Sequence, residues 1–284
     1  MSVLPRHVAL VSESPSVTFS DLSQVAAALQ KQAARDFAPV WQINATVDAF
    51  PSLDKIPLDY WPVIIQDDIK QPGAAGFHTD KNGQPFALVQ VDAGWALTVS
   101  HETLEMLADP SGNRVVAGAP PLHAPKPVSA LKRVLYLVEV CDPCEADKFS
   151  YTVNGVQVSD FITNHYYDPH KTKGRQYSFT GAIPSPHQVL DGGYVSFSDP
   201  LTNHWYQIVV QGTKVQLVDL GVMNMNGKSI RENIDRMTRE RRPGYRTAPP
   251  ARTAKARAAA ALGSPESQSA RASALRDEIN GLKG

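Results

Sequence analysis

The chain has 284 residues, 42% hydrophobic and 20% charged, a composition that supplies a globular core, and its longest apolar runs, such as Val134 to Val138, are too short to span a membrane. Its 28 basic and 28 acidic residues cancel overall, yet nine Lys/Arg against three Asp/Glu fall after residue 240, leaving 19 basic and 25 acidic residues before it. An acidic body of this kind argues against nucleic-acid binding outside the tail, and two cysteines, Cys141 and Cys144, cannot make a disulfide framework.

In chain order, His7 to Val11 reads as a short strand. A helix is expected next, capped by Ser20, with Leu22, Val25, Ala26, Leu29, Ala33 and Phe37 on its apolar positions and Pro39 as its stop. Strands are expected at Val40 to Val47 and Trp61 to Asp67, followed by a hairpin in FHTDKNGQPFALVQV that turns at Asn82-Gly83. The segment WALTVSHETLEMLADP, residues 95 to 110, has helical periodicity and ends at Asp109-Pro110. Beyond it the chain is β-rich, with a buried strand at Leu135 to Val140 and hairpins turning at Asn154-Gly155 and Gln211-Gly212.

Residues 1–240 therefore read as one α+β domain and 241–284 as a basic tail rich in Ala, Arg, Pro and Ser. Such a tail is expected to be flexible, with a short helix near Ser269 to Leu282, or to dock on an assembly partner or, weakly, on a polyanion. The N-terminus lacks a basic region followed by a long apolar one, so a cytoplasmic location is expected, with association to an assembly or non-classical export compatible with it.

The chemistry concentrates on the 95–110 helix. Positions four apart stand about 40° apart around a helix and one turn along it, so His101 and Glu105 can converge on one ion while Glu102 projects beside them. This is the H-E-x-x-H geometry of metallopeptidases with Glu in place of the second His. Zinc accepts imidazole and carboxylate at similar distances, whereas a set dominated by oxygen also suits manganese or calcium. The third ligand has several candidates: Asp109 two turns on, Glu139 in LYLVEVCDPCE, where it would share a strand face with Cys141, and His78 in the GAAGFHTD loop. The Cys141-x-x-Cys144 pair has no second pair to complete a zinc ribbon and reads as two reduced thiols, or as a local disulfide if the protein is exported, and the acidic loop of Asp142, Glu145 and Asp147 lacks calcium-loop spacing and reads as solvated.

The runs ALQKQAARDFAPVW, GAAGFHTDKNGQP, SHETLEMLADP, EVCDPCE and VSDFIT, in this order over roughly residues 8 to 225, resemble a family of bacterial and phage-associated proteins of uncharacterised activity, similar in turn to zincin-type metallopeptidases. The resemblance implies a zincin-like α+β fold with the active helix under a mixed sheet, His101 and Glu105 at metal-ligand positions and Glu102 as general base. It departs from the zincin pattern at Glu105 and in lacking a third ligand at fixed spacing. The expectation is a metal-dependent hydrolase acting on a peptide held along the Phe77 to Gln90 strands, with His165, Tyr166 or Tyr167 as a carbonyl donor. The alternative is a non-catalytic structural or binding component of a phage-like or secretion assembly.

Overall fold

The computed structural model describes residues 5–71 and 73–241, with side chains through 238. The expected behaviour of the tail, including its short helix, lies outside the described residues.

Five strands of the first half, β1 (Arg6–Ser12), β2 (Ala45–Ala49), β3 (Tyr60–Gln66), β4 (Gly76–Lys81) and β5 (Gln84–Gln90), form one sheet in the order β2-β1-β3-β5-β4. β1 pairs in parallel with β2 and β3, and β3 with β5; β4 runs antiparallel to β5 and forms the sheet's edge. The apolar runs of β1 and β3 suit parallel strands covered on their faces. The β4–β5 hairpin turns where expected, with Asn82 and Gly83 both at positive φ (55° and 80°), the signature of a type I′ turn.

The first helix, α1 (Phe19–Lys31), starts earlier than Ser20. Thr18 caps it, accepting from the Asp21 N–H while Asp21 accepts from the Thr18 N–H, a capping box that secures two backbone donors at once. Nor does Pro39 stop it. The helix widens into a π-helical segment at Gln32–Phe37, continues as α2 (Ala38–Trp41) and ends at Gln42 in the left-handed region. Widening accommodates a ring that donates no N–H and would otherwise press on the preceding turn. The Gln32 side chain holds the segment in place, donating to the Ser159 carbonyl at 2.9 Å and accepting from Ser100 Oγ at 2.8 Å. Val40 and Trp41 are consequently helical, and the strand expected from Val40 begins at Ala45.

The motif helix α3 (Trp95–Ala108) matches its expected span and packs against β3, β4 and β5. Its other side meets β9 (Val156–Val158), which forms a hairpin with β8 (Tyr151–Val153) around Asn154-Gly155. Every residue from 99 to 108 is buried, so α3 is a central helix enclosed all round rather than one with a single apolar face.

The second half forms an antiparallel sheet of β6 (Val115–Gly118), β7 (Val134–Leu137), β10 (Tyr194–Asp199), β11 (His204–Gln211) and β12 (Lys214–Val222), in the order β12-β11-β10-β7-β6. β7 is shorter than expected. After Leu137 the Val138 N–H turns to the Arg114 carbonyl and the Glu139 N–H to that of Leu137, so Glu139 and Cys141 lie past the strand and their placement owes nothing to strand alternation.

A further helix, α4 (Ile230–Arg241), was not expected within the body. It opens with a reciprocal Ser229–Glu232 capping box. One continuous core joins apolar residues of both sheets, whereas Ile234 of α4 sits in a small separate cluster with Leu137, Trp205, Leu220 and Met223. Among the described residues no helix is long and apolar enough to cross a membrane.

Candidate metal centre

The polar residues of α3 are not a solvated face. His101 is 7% exposed, Glu102 1% and Glu105 0%, and around them lie buried His78 from β4, Glu139 and Asp142 from the segment after β7, and Arg231 from α4. Four carboxylates therefore share an interior volume with one guanidinium and two imidazoles. Removing that much charge from water is costly unless the groups are paired or bind a metal.

On one side of Glu105, Oε1 lies 3.2 Å from His101 Nε2 and accepts the Cys141 N–H at 3.2 Å. His101 Nε2 also lies 3.2 Å from Asp142 Oδ1, an oxygen with no hydrogen-bond partner among the described residues. Two ligands of one zinc ion at ordinary bond lengths stand roughly 3.0–3.5 Å apart, the range these separations occupy. His101, Glu105 and Cys141 each place a donor atom within 4.8 Å of the others, and so do His101, Asp142 and Glu145. The electrostatics match. Burial alone would push the His101 imidazole down, but the Glu105 charge and the adjacent Asp142 hold it well above the usual histidine range. Burial would raise Glu105, but His101 and Arg231 keep its carboxyl well below the carboxylate range. Burial, reinforced by the Glu105 charge, pushes Asp142 up to about 7.

On the other side, Glu105 Oε2 accepts from Arg231 Nη1 at 2.9 Å. The same Nη1 makes a short contact with Glu139 Oε2 and lies 3.4 Å from His78 Nδ1. His78 Nε2 lies 3.1 Å from the Asp109 carbonyl, which only accepts, so Nε2 carries a proton and Nδ1 faces the cluster. Burial drives the Glu139 carboxyl well above the ordinary range, against the opposing charge of Arg231. His78, Glu105 and Glu139 form a third group of donors within 4.8 Å of one another.

Glu102 stands beside both sides. Its Oε2 lies 3.5 Å from His78 Nδ1 and has no hydrogen-bond partner among the described residues. Burial would raise its carboxyl, but His78, His101 and Arg231 outweigh burial and leave it lowered, and therefore ionised at neutral pH. Glu102 also lines a cavity of about 270 Å³ together with Gly76, Phe77, Glu145, Arg231 and Asp235. Two glycines shape these surroundings. A Cβ at Gly76 would stand 2.7 Å from Thr98 Cγ2 and 2.9 Å from Glu102 Cγ, so only glycine lets β4 lie this close to α3. A Cβ at Gly193 would meet the carbonyl oxygens of Asp142 and Pro143 at 2.6 and 2.7 Å, a close backbone approach that sets the Asp142 loop.

Of the expected site residues, His101, Glu102, Glu105 and Glu139 are brought together, Glu139 through His78 and Arg231 rather than through His101. Asp109 is placed differently: its Oδ1 and Oδ2 accept the Asn113 and Arg114 N–H groups at 3.0 and 2.7 Å, closing the turn after α3. Asp142, expected in a solvated loop, is 1% exposed. Cys141 and Cys144 are both free, and burial pushes both thiols up, which fits the expected reduced pair. His165 is engaged outside the cluster by Asp168 and Arg175, and Tyr166 packs among the rings of Tyr136, Tyr167 and His187. Arg231 was missed: a lone arginine in a polar stretch carries no sequence signal that it will be buried.

No protein-family model matches the chain, and neither a curated protein nor a solved structure is significantly similar to it.

Proposed function

We propose that the chain is a metal-dependent hydrolase with zincin-like, peptidase-type chemistry. The observation that supports this most is that His101, Glu105 and Cys141 each place a donor atom within 4.8 Å of the others on and beside a buried helix, with Glu102 one position along it in the wall of a cavity. Asp142 Oδ1, buried 3.2 Å from His101 Nε2, fits a cation at the same place. A nitrogen, a carboxylate and a sulfur donor suit zinc better than manganese, and calcium, which takes about six to eight oxygens, least of all.

When bound there, the ion supplies Lewis acidity, which lowers the pKa of a water and polarises a carbonyl. Glu102, ionised and unpaired at Oε2, takes the proton of the attacking water and passes it to the leaving amine. β4, at the edge of its sheet and with Gly76 and Phe77 in the cavity wall, offers backbone groups to an extended peptide. The helix under a mixed sheet agrees with the fold that the zincin resemblance implies.

A second reading, a structural or binding component without catalysis, is favoured by Arg231, which fills the space between Glu105 and Glu139. Metal content of protein purified without an affinity tag separates the two. The hydrolase reading expects about one zinc per chain, lost in His101→Ala and Glu105→Ala. It also expects cleavage of an unbiased peptide library that disappears in Glu102→Gln while the metal stays. Wild-type protein that takes up no metal after incubation with zinc overturns it and leaves the structural reading.

A further inference from the structure

One nitrogen, Arg231 Nη1, touches all three donors of the His78, Glu105 and Glu139 group: Glu105 Oε2 at 2.9 Å, His78 Nδ1 at 3.4 Å, and Glu139 Oε2 in a short contact. A cationic nitrogen within reach of an imidazole nitrogen and two carboxylates stands where a metal ion would. The far nitrogen of His78 donates to the Asp109 carbonyl, the hydrogen bond that orients a ligating histidine. The guanidinium does not satisfy the pocket. Glu139 Oε1 and Glu102 Oε2, in residues 94% and 99% buried, have no hydrogen-bond partner among the described residues.

The residue that fills the pocket is held by an element that can leave. α4 is anchored through Ile230, Ile234 and Met237 in a small cluster apart from the main core, and elements whose apolar contacts lie outside the main core open before it does. Its first turn is guided by Gly112, where a Cβ would stand 2.8 Å from Arg231 Cβ, and by the Arg231 N–H donating to the Gly112 carbonyl at 3.0 Å. The cavity that Glu102 lines also reaches Arg231, which gives an ion a path inward.

We propose that His78, Glu105 and Glu139 form a second divalent-cation site, closed by Arg231 while α4 is docked, so that the ion and α4 compete for the same carboxylates. Glu105 then serves two ions through its two oxygens, Oε1 toward His101 and Oε2 toward His78. The second site shares only Glu105 with the centre above and does not rest on hydrolysis.

The test is a count of bound zinc on the full chain, stripped with chelator, reloaded with zinc and desalted. Arg231→Met is expected to hold one ion more than wild type, and Arg231→Met combined with His78→Ala to lose that additional ion. His101→Ala in wild type removes the first ion, so failure of the first centre appears as a zero wild-type count and failure of the second as no increment. Equal counts in Arg231→Met and wild type, or an increment that survives His78→Ala, overturn the proposal. If Arg231→Met does not melt cooperatively without metal, its melting is followed against zinc concentration. A zinc-dependent recovery abolished by His78→Ala supports the second site, and no recovery overturns it.

Discussion

Glu105 divides the buried cluster into two sides that meet the same electrostatic demand differently. Toward Oε2 the chain brings its own cation, and the Arg231 guanidinium lies between Glu105 and Glu139. Toward Oε1 no lysine or arginine among the described residues makes an ion pair; the His101 imidazole, held well above the usual histidine range, faces both Glu105 and Asp142 at 3.2 Å. Apolar residues of similar volume would often be neutral or stabilising in place of a buried ionic group. On this side the cation is a histidine, which can give up its proton, and buried carboxylates that face a titratable cation rather than a fixed one mark a site kept for binding or chemistry.

The sharpest way to break this comparison is to remove the residue both sides share. Glu105→Ala takes one carboxylate from the Arg231 guanidinium, leaving it Glu139, and removes the acceptor of the Cys141 N–H and the partner of His101, and losing one partner of a buried pair costs about 3–5 kcal/mol. For a chain of this size that lowers the melting temperature by on the order of 10 °C, with complete loss of bound zinc. Calorimetry and metal analysis check both, and a melting temperature within a degree or two of wild type would show that the cluster does not act as one unit.

Asp142→Asn sharpens the comparison from the other direction, because stability and binding are expected to move oppositely. Removing a carboxylate whose ionised form is opposed by burial and by Glu105 stabilises the metal-free protein at pH 8 by about 1–3 kcal/mol, while zinc affinity falls by roughly 10–100-fold. The pH dependence follows from the same group. Its folded carboxyl titrates at about 7 against an ordinary 3.8, so between those values the folded state holds a proton that the unfolded chain has released. Its contribution is present at low pH and lost as pH rises through about 7. Glu139 and His101, both raised, act with the same sign, whereas Glu105 and Glu102, both lowered, are already ionised in both states above pH 5.5 and add no slope there. The metal-free melting temperature should therefore fall from pH 5.5 to 8.5 and fall less in Asp142→Asn, while zinc binding, which displaces protons, strengthens over the same range. A metal-free melting temperature that rises with pH contradicts the assignment.

How much of this was legible in the sequence depended on how local the cause was. Asn82-Gly83 and Asn154-Gly155 announce their turns because both central residues must adopt positive φ, and α3 announces itself through periodicity, which also places His101 above Glu105. The Thr18 cap was readable from Thr18-x-x-Asp21 but competed with Ser20, and α4 carried both a Ser229-x-x-Glu232 box and apolar residues at 230, 234 and 237 that its polar composition obscured. What escaped was tertiary. Pro39 is tolerated because Gln32 is anchored to Ser100 and Ser159, far away in the chain. Asp142 reaches His101 through a loop shaped by a backbone approach at Gly193, and Arg231 reaches His78 across 153 residues. No periodicity or local spacing encodes such meetings.

Gly76→Ala separates packing from ligation with a smaller effect. The added methyl meets Thr98 and Glu102 at under 3 Å, so β4 must lift from α3 or Glu102 must turn, at a cost of about 1–3 kcal/mol. Because the atoms nearest a Cβ at Gly76 belong to Thr98 and Glu102, the expected outcome is weakened hydrolysis with the zinc count unchanged. Loss of metal in this variant would mean that β4 supports the ligands as well as the base.

The smallest effect is expected at Asp109, and it decides whether the two sides of Glu105 are the whole centre. The side chain accepts two backbone N–H groups, from Asn113 and Arg114, whereas the contribution to the cluster comes from the backbone, whose carbonyl orients His78. Asp109→Asn keeps that carbonyl and one side-chain acceptor and weakens the turn by about 1 kcal/mol. Zinc content is expected to stay at the wild-type level, because neither His101 nor His78 loses a partner. A loss of zinc here, with melting nearly unchanged, would restore Asp109 as a ligand and require the turn after α3 to open when metal enters. In that case the same turn, through the Gly112 carbonyl that receives the Arg231 N–H, would tie metal entry to the docking of α4.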